Sequence, residues 1–171
     1  MTTINLQQSF TARLEGQDGS QQRVPILLIE RQLLEVDSSG WLCLPADDTL
    51  SLNFLPATLR FDFLGQHGDS GHYRVSCATR NSHYFKRHLD CSSKGYLGFY
   101  GSVASDVFWK IDVVDRSASG GSPVFTLSDH RGRAVGSLTD SSLVQGKVTY
   151  LAASDSKMNA QHFTLADYQP I

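Results

Sequence analysis

An all-β fold built from three related units is what this 171-residue sequence predicts, and two observations predict it. The first is alternation. Apolar residues recur with period two in Phe10-Thr11-Ala12-Arg13-Leu14, Leu59-Arg60-Phe61-Asp62-Phe63, Tyr73-Arg74-Val75-Ser76-Cys77, Lys110-Ile111-Asp112-Val113-Val114 and Phe125-Thr126-Leu127, the pattern of half-buried strands. The second is repetition. Three times a glycine launches a short apolar strand, at Gly40-Trp41-Leu42-Cys43-Leu44, Gly95-Tyr96-Leu97-Gly98-Phe99 and Gly146-Lys147-Val148, and an alternating segment closes the unit with Phe61, Trp109 or Phe163. The launching glycines stand 55 and 51 residues apart and the closing aromatics 48 and 54 apart. A unit of that size cannot bury its apolar face without its siblings.

Taken in order, the strand at 10–14 stops at Gly16-Gln17-Asp18-Gly19-Ser20, a run of turn formers. Residues 24–29 form the longest apolar run, and 26–35 carry a helical pattern weakened by branched residues. Asp37-Ser38-Ser39-Gly40 turns the chain into 41–44, and the 59–63 strand then ends at the glycine-rich stretch 65–71. Strand 73–77 follows. Residues 81–89 have weak helical periodicity, and Ser92-Ser93-Lys94-Gly95 launches 96–99. Strand 109–113 gives way to the small residues of 117–122, and 125–127 turns at Asp129-His130-Arg131-Gly132 into 133–136. Gly146-Lys147-Val148-Thr149 and Phe163-Thr164-Leu165 complete the third unit.

Three units of about fifty residues, each with four short strands, is the layout of a β-trefoil, in which six strands close a barrel, six cap it, and closure removes exposed edges. Residues 1–171 are expected to form that single domain, long enough to bury one core. A chymotrypsin-like double β-barrel is the alternative fold. The third unit, from Phe125 through the charged turn Asp129-His130-Arg131-Gly132-Arg133 to Gly146 and Gln161-His162-Phe163-Thr164-Leu165, resembles one repeat of the fascin-like or actin-crosslinking type of β-trefoil. Tyr96-Leu97-Gly98-Phe99 with Phe108-Trp109-Lys110-Ile111 resembles the same repeat. The resemblance implies the fold rather than an activity, since β-trefoils include glycan binders, actin bundlers, growth factors and protease inhibitors. The Gln-x-Trp triplets of ricin-type lectins are absent.

Composition narrows the partners. Fifteen Lys and Arg against 17 Asp and Glu leave a formal charge of −2, so no global field draws the chain to nucleic acid or anionic lipid. No apolar run approaches the roughly 18 residues of a membrane span, and no basic residue or apolar stretch before Arg13 reads as a signal peptide. A cytoplasmic location, or export without a cleavable signal peptide, is expected. Cys43, Cys77 and Cys91 form no CxxC pair and read as small buried hydrophobes.

Three chemical motifs compete with plain binding. Ser119-Gly120-Gly121-Ser122-Pro123 looks like the nucleophile turn of trypsin-like proteases, but the nucleophile slot counted back from Pro123 holds Gly120, and the earliest histidine is His67. Gly68-Asp69-Ser70-Gly71 has the letters of that turn without the proline. His83, His88 and Cys91 beside His72 invite zinc, at a spacing, H-x4-H-x2-C, that fits no closed site. Lys86 and Arg87 with Arg80 and Lys94 form the one basic concentration.

The expected function is therefore a non-enzymatic binding module without cofactor or metal, with carbohydrate or glycoconjugate as ligand. A protein-binding trefoil (an inhibitor or a cytoskeletal contact) and a trypsin-like protease or inactive relative are the alternatives. Phe61, Phe63, Phe99, Trp109, Phe125 and Phe163 read as core. Trp41, Tyr84, Tyr100 and Tyr150 lie near turns, where a ring can stack on the C–H face of a sugar. Asn81, His83, Asp47 and Asp48 are the candidate polar contacts.

Overall fold

Alternation becomes pairing in the computed structural model, which describes residues 3–30, 40–45, 53–116, 121–142, 146–155 and 160–171. Among the described residues there are fourteen strands and no helix. In chain order they are β1 (Phe10–Gln17), β2 (Arg23–Pro25), β3 (Leu27–Ile29), β4 (Leu42–Leu44), β5 (Phe54–Pro56), β6 (Thr58–His67) and β7 (Ser70–Cys77). There follow β8 (His88–Cys91), β9 (Leu97–Tyr100), β10 (Trp109–Asp115), β11 (Val124–Asp129), β12 (Ala134–Ser142), β13 (Gly146–Ser154) and β14 (Thr164–Pro170).

Six strands lie side by side in the order β14-β1-β6-β7-β10-β11. Phe125 of β11 and Phe163, which precedes β14, then exchange both backbone hydrogen bonds at 3.0 and 2.8 Å. The sheet is thereby a nearly closed barrel. Its inner layer follows from the alternation, since period two sends every second side chain inward. Each closing aromatic is the register partner of an aromatic on the strand that opened its unit: Phe61 with Phe10, Trp109 with Tyr73, Phe163 with Phe125. All six rings are 0–1 % exposed. Phe10 and Phe61 stack with centroids 4.7 Å apart, and the Trp109 Nε1–H donates to the Leu89 carbonyl at 3.1 Å. Phe99 is buried as expected, but Phe63 is only half-buried. It stands just before a register shift to Gly65, at the barrel end, with its ring against Tyr73.

The remaining strands pair as hairpins inserted between successive barrel strands: β3 with β4, β8 with β9, β12 with β13. The hairpins also meet one another in a cycle. Trp41 bridges Gly98, Tyr96 bridges Ala152, and Tyr150 pairs with Cys43. One position earlier, the Gly40 carbonyl accepts from Phe99 N at 3.1 Å, the Gly95 carbonyl accepts from Ala153 N at 2.9 Å, and Thr149 pairs with Leu44. Thus the third-unit counterpart of Gly40 and Gly95 is Thr149 rather than Gly146, and the equivalent aromatics 41, 96 and 150 are spaced 55 and 54 residues apart. The reason is conformational. Gly40 and Gly95 enter their strands at φ +86 and +89°, where a side chain is strained; Thr149 lies mid-strand in β13 and has no such requirement.

Neither stretch with a weak helical pattern is helical where it is described. Residues 27–29 are β3, with 31–35 outside the described residues, and 81–87 form successive turns broken by Lys86 at φ +68° before β8 begins. The three cysteines are free, Cys43 and Cys77 buried and Cys91 half-buried. No helix is long and apolar enough to cross a membrane among the described residues.

Candidate functional site

The hairpin face carries a row of aromatic rings, and its origin is local. Tyr96, Gly98 and Tyr100 fall on one side of β9 by period two, while Leu97 and Phe99 point into the core. Gly98 leaves a gap between the two tyrosines, and the Trp41 indole fills it. A Cβ built on Gly98 would lie 2.5 Å from the Cε3 and Cζ3 atoms of Trp41, so only glycine permits this contact. The indole meets Tyr96 and Tyr100 edge-on, at 6.2 and 6.4 Å between centroids. Tyr96 in turn stacks on Tyr150 at 4.6 Å with 22° between planes. The row runs Tyr100, Trp41, Tyr96, Tyr150 across three hairpins. The first three rings are half-buried and Tyr150 is 7 % exposed.

Polar groups border the row. The Tyr96 hydroxyl donates to Asp140 Oδ2 at 3.1 Å, the Thr139 and Thr149 hydroxyls lie 2.9 Å apart, and Asp90 is the register partner of Gly98. Beneath Tyr150 sits a second, smaller core of Ile29, Cys43 and Val148. Burial, with smaller contributions from Tyr96, Asp140 and Cys43, pushes the Tyr150 phenol up to about 12. Burial raises the Tyr96 phenol, reinforced by its bond to Asp140, and raises the Tyr100 phenol, reinforced by Asp90 and Cys91. The phenols, uncharged at neutral pH in any case, therefore stay protonated further into alkali.

These shifts have a consequence in alkali. Burial also pushes the Cys43 and Cys91 thiols from 9.0 up to about 12. Each group is held neutral by the fold, so its contribution to stability is complete below its unfolded value, 9.0 for the thiols and 10.0 for the phenol. That contribution disappears as pH rises through about 12. Denaturant midpoints are expected to hold steady up to about pH 9 and then fall. A midpoint unchanged at pH 11 would contradict this.

Of the sequence-predicted residues, Trp41, Tyr100 and Tyr150 come together in the row. Asn81, His83 and Tyr84 lie in the turns before β8, where Glu30 accepts from Ser82 Oγ at 2.7 Å and from His83 N at 2.8 Å. Asn81 and His83 are exposed, but Tyr84 is a packing residue at 7 % exposure. Its ring lies against Gly40, where an added Cβ would sit 2.8 Å from Cε1, and the Arg87 guanidinium stands 5.4 Å from its centroid. Asp47 and Asp48 lie outside the described residues. Sequence reasoning passed over Tyr96 and Asp140. The signal for Tyr96 was its place one residue after a launching glycine, the place Trp41 occupies in the first unit.

The rival motifs resolve into structure where they are described. Ser122 Oγ accepts the Leu165 N–H at 2.8 Å, which ties β14 to the residue before Pro123, while Ser119 and Gly120 lie outside the described residues. Ser70 of the Gly68-Asp69-Ser70-Gly71 turn hydrogen-bonds Asp112. His72 stacks between His67 and Phe108, at 4.1 and 4.6 Å. No group of three His, Cys, Asp or Glu is placed to hold a metal among the described residues. No protein-family model matches the chain, and no curated protein is significantly similar to it.

Proposed function

We propose that the chain is a β-trefoil module that binds carbohydrate or glycoconjugate through the hairpin face, without metal and without catalysing a reaction. The trefoil reading is supported by three hairpins alternating with pairs of barrel strands and by their cyclic contacts at 41–98, 96–152 and 150–43. A double barrel has no need of such a cycle. The glycan reading is carried by one observation, the half-buried Trp41 indole laid on Gly98 between Tyr96 and Tyr100. Neutral rings of this kind suit the C–H faces of sugars, and carboxylates at the row's edges, Asp90 and Asp140, suit their hydroxyls.

A single sugar on such a surface buries little area, so a dissociation constant in the high micromolar to millimolar range, about −4 to −5 kcal/mol, is expected per site. A glycan array probed with a multivalent display of the protein raises this to detectable avidity. Trp41→Ala is expected to weaken the array signal about tenfold or more, the ~1.4 kcal/mol or greater loss typical of a central aromatic anchor, and chelator is expected to leave it unchanged. Silence across the array, or a signal indifferent to Trp41→Ala in a variant of native circular dichroism, would remove the glycan reading. Specific capture of a protein partner in the same circumstances would establish the protein-binding alternative.

A further inference from the structure

At Asp90 the aromatic row adjoins a second feature. Asp90, opposite Gly98 in register, also lines a cleft of about 430 Å³ that continues past β8 to the turn between β11 and β12. Its other polar side chains are Ser92, Ser93, Asp106, His130, Arg131 and Arg133. The cleft has a built frame. Asp129, 2 % exposed, accepts from Arg131 N at 3.0 Å, Arg133 N at 2.8 Å and Arg133 Nε at 2.7 Å, which holds the turn and neutralises the Arg133 charge. Arg131 has no ion-pair partner among the described residues, and it shares the lining of the cleft with two carboxylates, Asp90 and Asp106. With Asp129 and Arg133 cancelling, the side chains of Asp90, Asp106 and Arg131 add two negative charges and one positive.

From this juxtaposition of the aromatic row with a donor- and acceptor-lined cleft, we infer that the site is extended and that its ligand is a neutral oligosaccharide of at least two units. One unit stacks on Trp41 and the next lies in the cleft. The inference rests on the glycan reading of the row and adds to it a length and a charge. Hydroxyl groups both donate and accept, so vicinal hydroxyls satisfy a guanidinium and carboxylates together, and such charge-assisted bonds are the stronger kind. A sulfate or carboxylate on the second unit meets the excess of negative charge from Asp90 and Asp106, with Asp140 beyond the row, and is repelled.

The test is a titration of the full chain, followed by amide chemical shifts, with methyl glucoside, methyl galactoside and methyl mannoside, with cellobiose, lactose and mannobiose, and with sulfated lactose. Expected are a disaccharide that binds about tenfold tighter than its monosaccharide, with shifts at 90–93 and 131–133 as well as at 96–100, and weaker binding of sulfated lactose than of lactose. Arg131→Ala and Asp106→Asn, both at exposed positions, are each expected to erase the difference between disaccharide and monosaccharide. Equal affinity of monosaccharide and disaccharide, tighter binding of the sulfated sugar, or a disaccharide advantage that survives both variants would overturn the extension alone. Absence of shifts with every sugar would overturn the glycan reading with it.

Discussion

Replacing Trp109 with alanine is expected to cost the fold about 3–5 kcal/mol, the range for a large buried aromatic truncated in a packed core. Phe61→Ala and Phe163→Ala are expected to cost similar amounts, because all three rings sit in the same inner layer and each faces an aromatic register partner. Trp109 should be the worst of the three. Its indole N–H satisfies the Leu89 carbonyl, and truncation leaves that carbonyl unpaired as well as opening a cavity. For a chain of this length such a loss lowers Tm by roughly 6–20 °C. Denaturant midpoints at constant m measure it. A neutral result at any one of the three positions would break the equivalence of that unit with the others.

Gly95→Ala is expected to be nearly as damaging, at roughly 2–4 kcal/mol, for a different reason. The residue sits at φ +89°, and a Cβ there would lie 2.4 Å from the carbonyl oxygen of Ala153. That oxygen belongs to backbone and has no side chain to swing aside. Accommodating the methyl separates the β9 entry from β13 and loosens the Tyr96 bridge to Ala152, and with it the aromatic row. Gly132→Ala is the internal control. Its φ is similar, +81°, but nothing lies within 4 Å of the added carbon, so it should cost only the left-handed strain of about 1–2 kcal/mol. Equal midpoints for the two variants would show that the contact with Ala153 does not matter.

The candidate site was half legible before folding. Trp41, Tyr100 and Tyr150 lie near turns in the sequence, and they join one surface. Tyr84 satisfied the same criterion and packs against Gly40 instead, because proximity to a turn does not say which way a ring faces. Tyr96 meets it too, one residue after Gly95 as Trp41 stands one residue after Gly40. Glycines mark where a chain needs positive φ, and the third unit passes the equivalent point, Thr149, as a regular strand, so Gly146 marks it three residues early.

Sequence alone determined the all-β character of the chain. Period-two alternation and glycine turns are local statements about backbone and burial, and they survive in any packing that gives each unit a shared core. It also determined the inner layer of closing aromatics, since an apolar ring on the inward side of an alternating strand has one place to go. Tertiary structure decided what lies between units. The opposition of Trp41 to Gly98, of Tyr96 to Ala152 and of Tyr150 to Cys43 joins residues more than fifty positions apart, and no local pattern encodes such a pairing. The empty side-chain position at Gly98 becomes a seat for an indole only when another hairpin delivers Trp41 to it. The aromatic row, and the cleft that adjoins it through Asp90, are products of that long-range register.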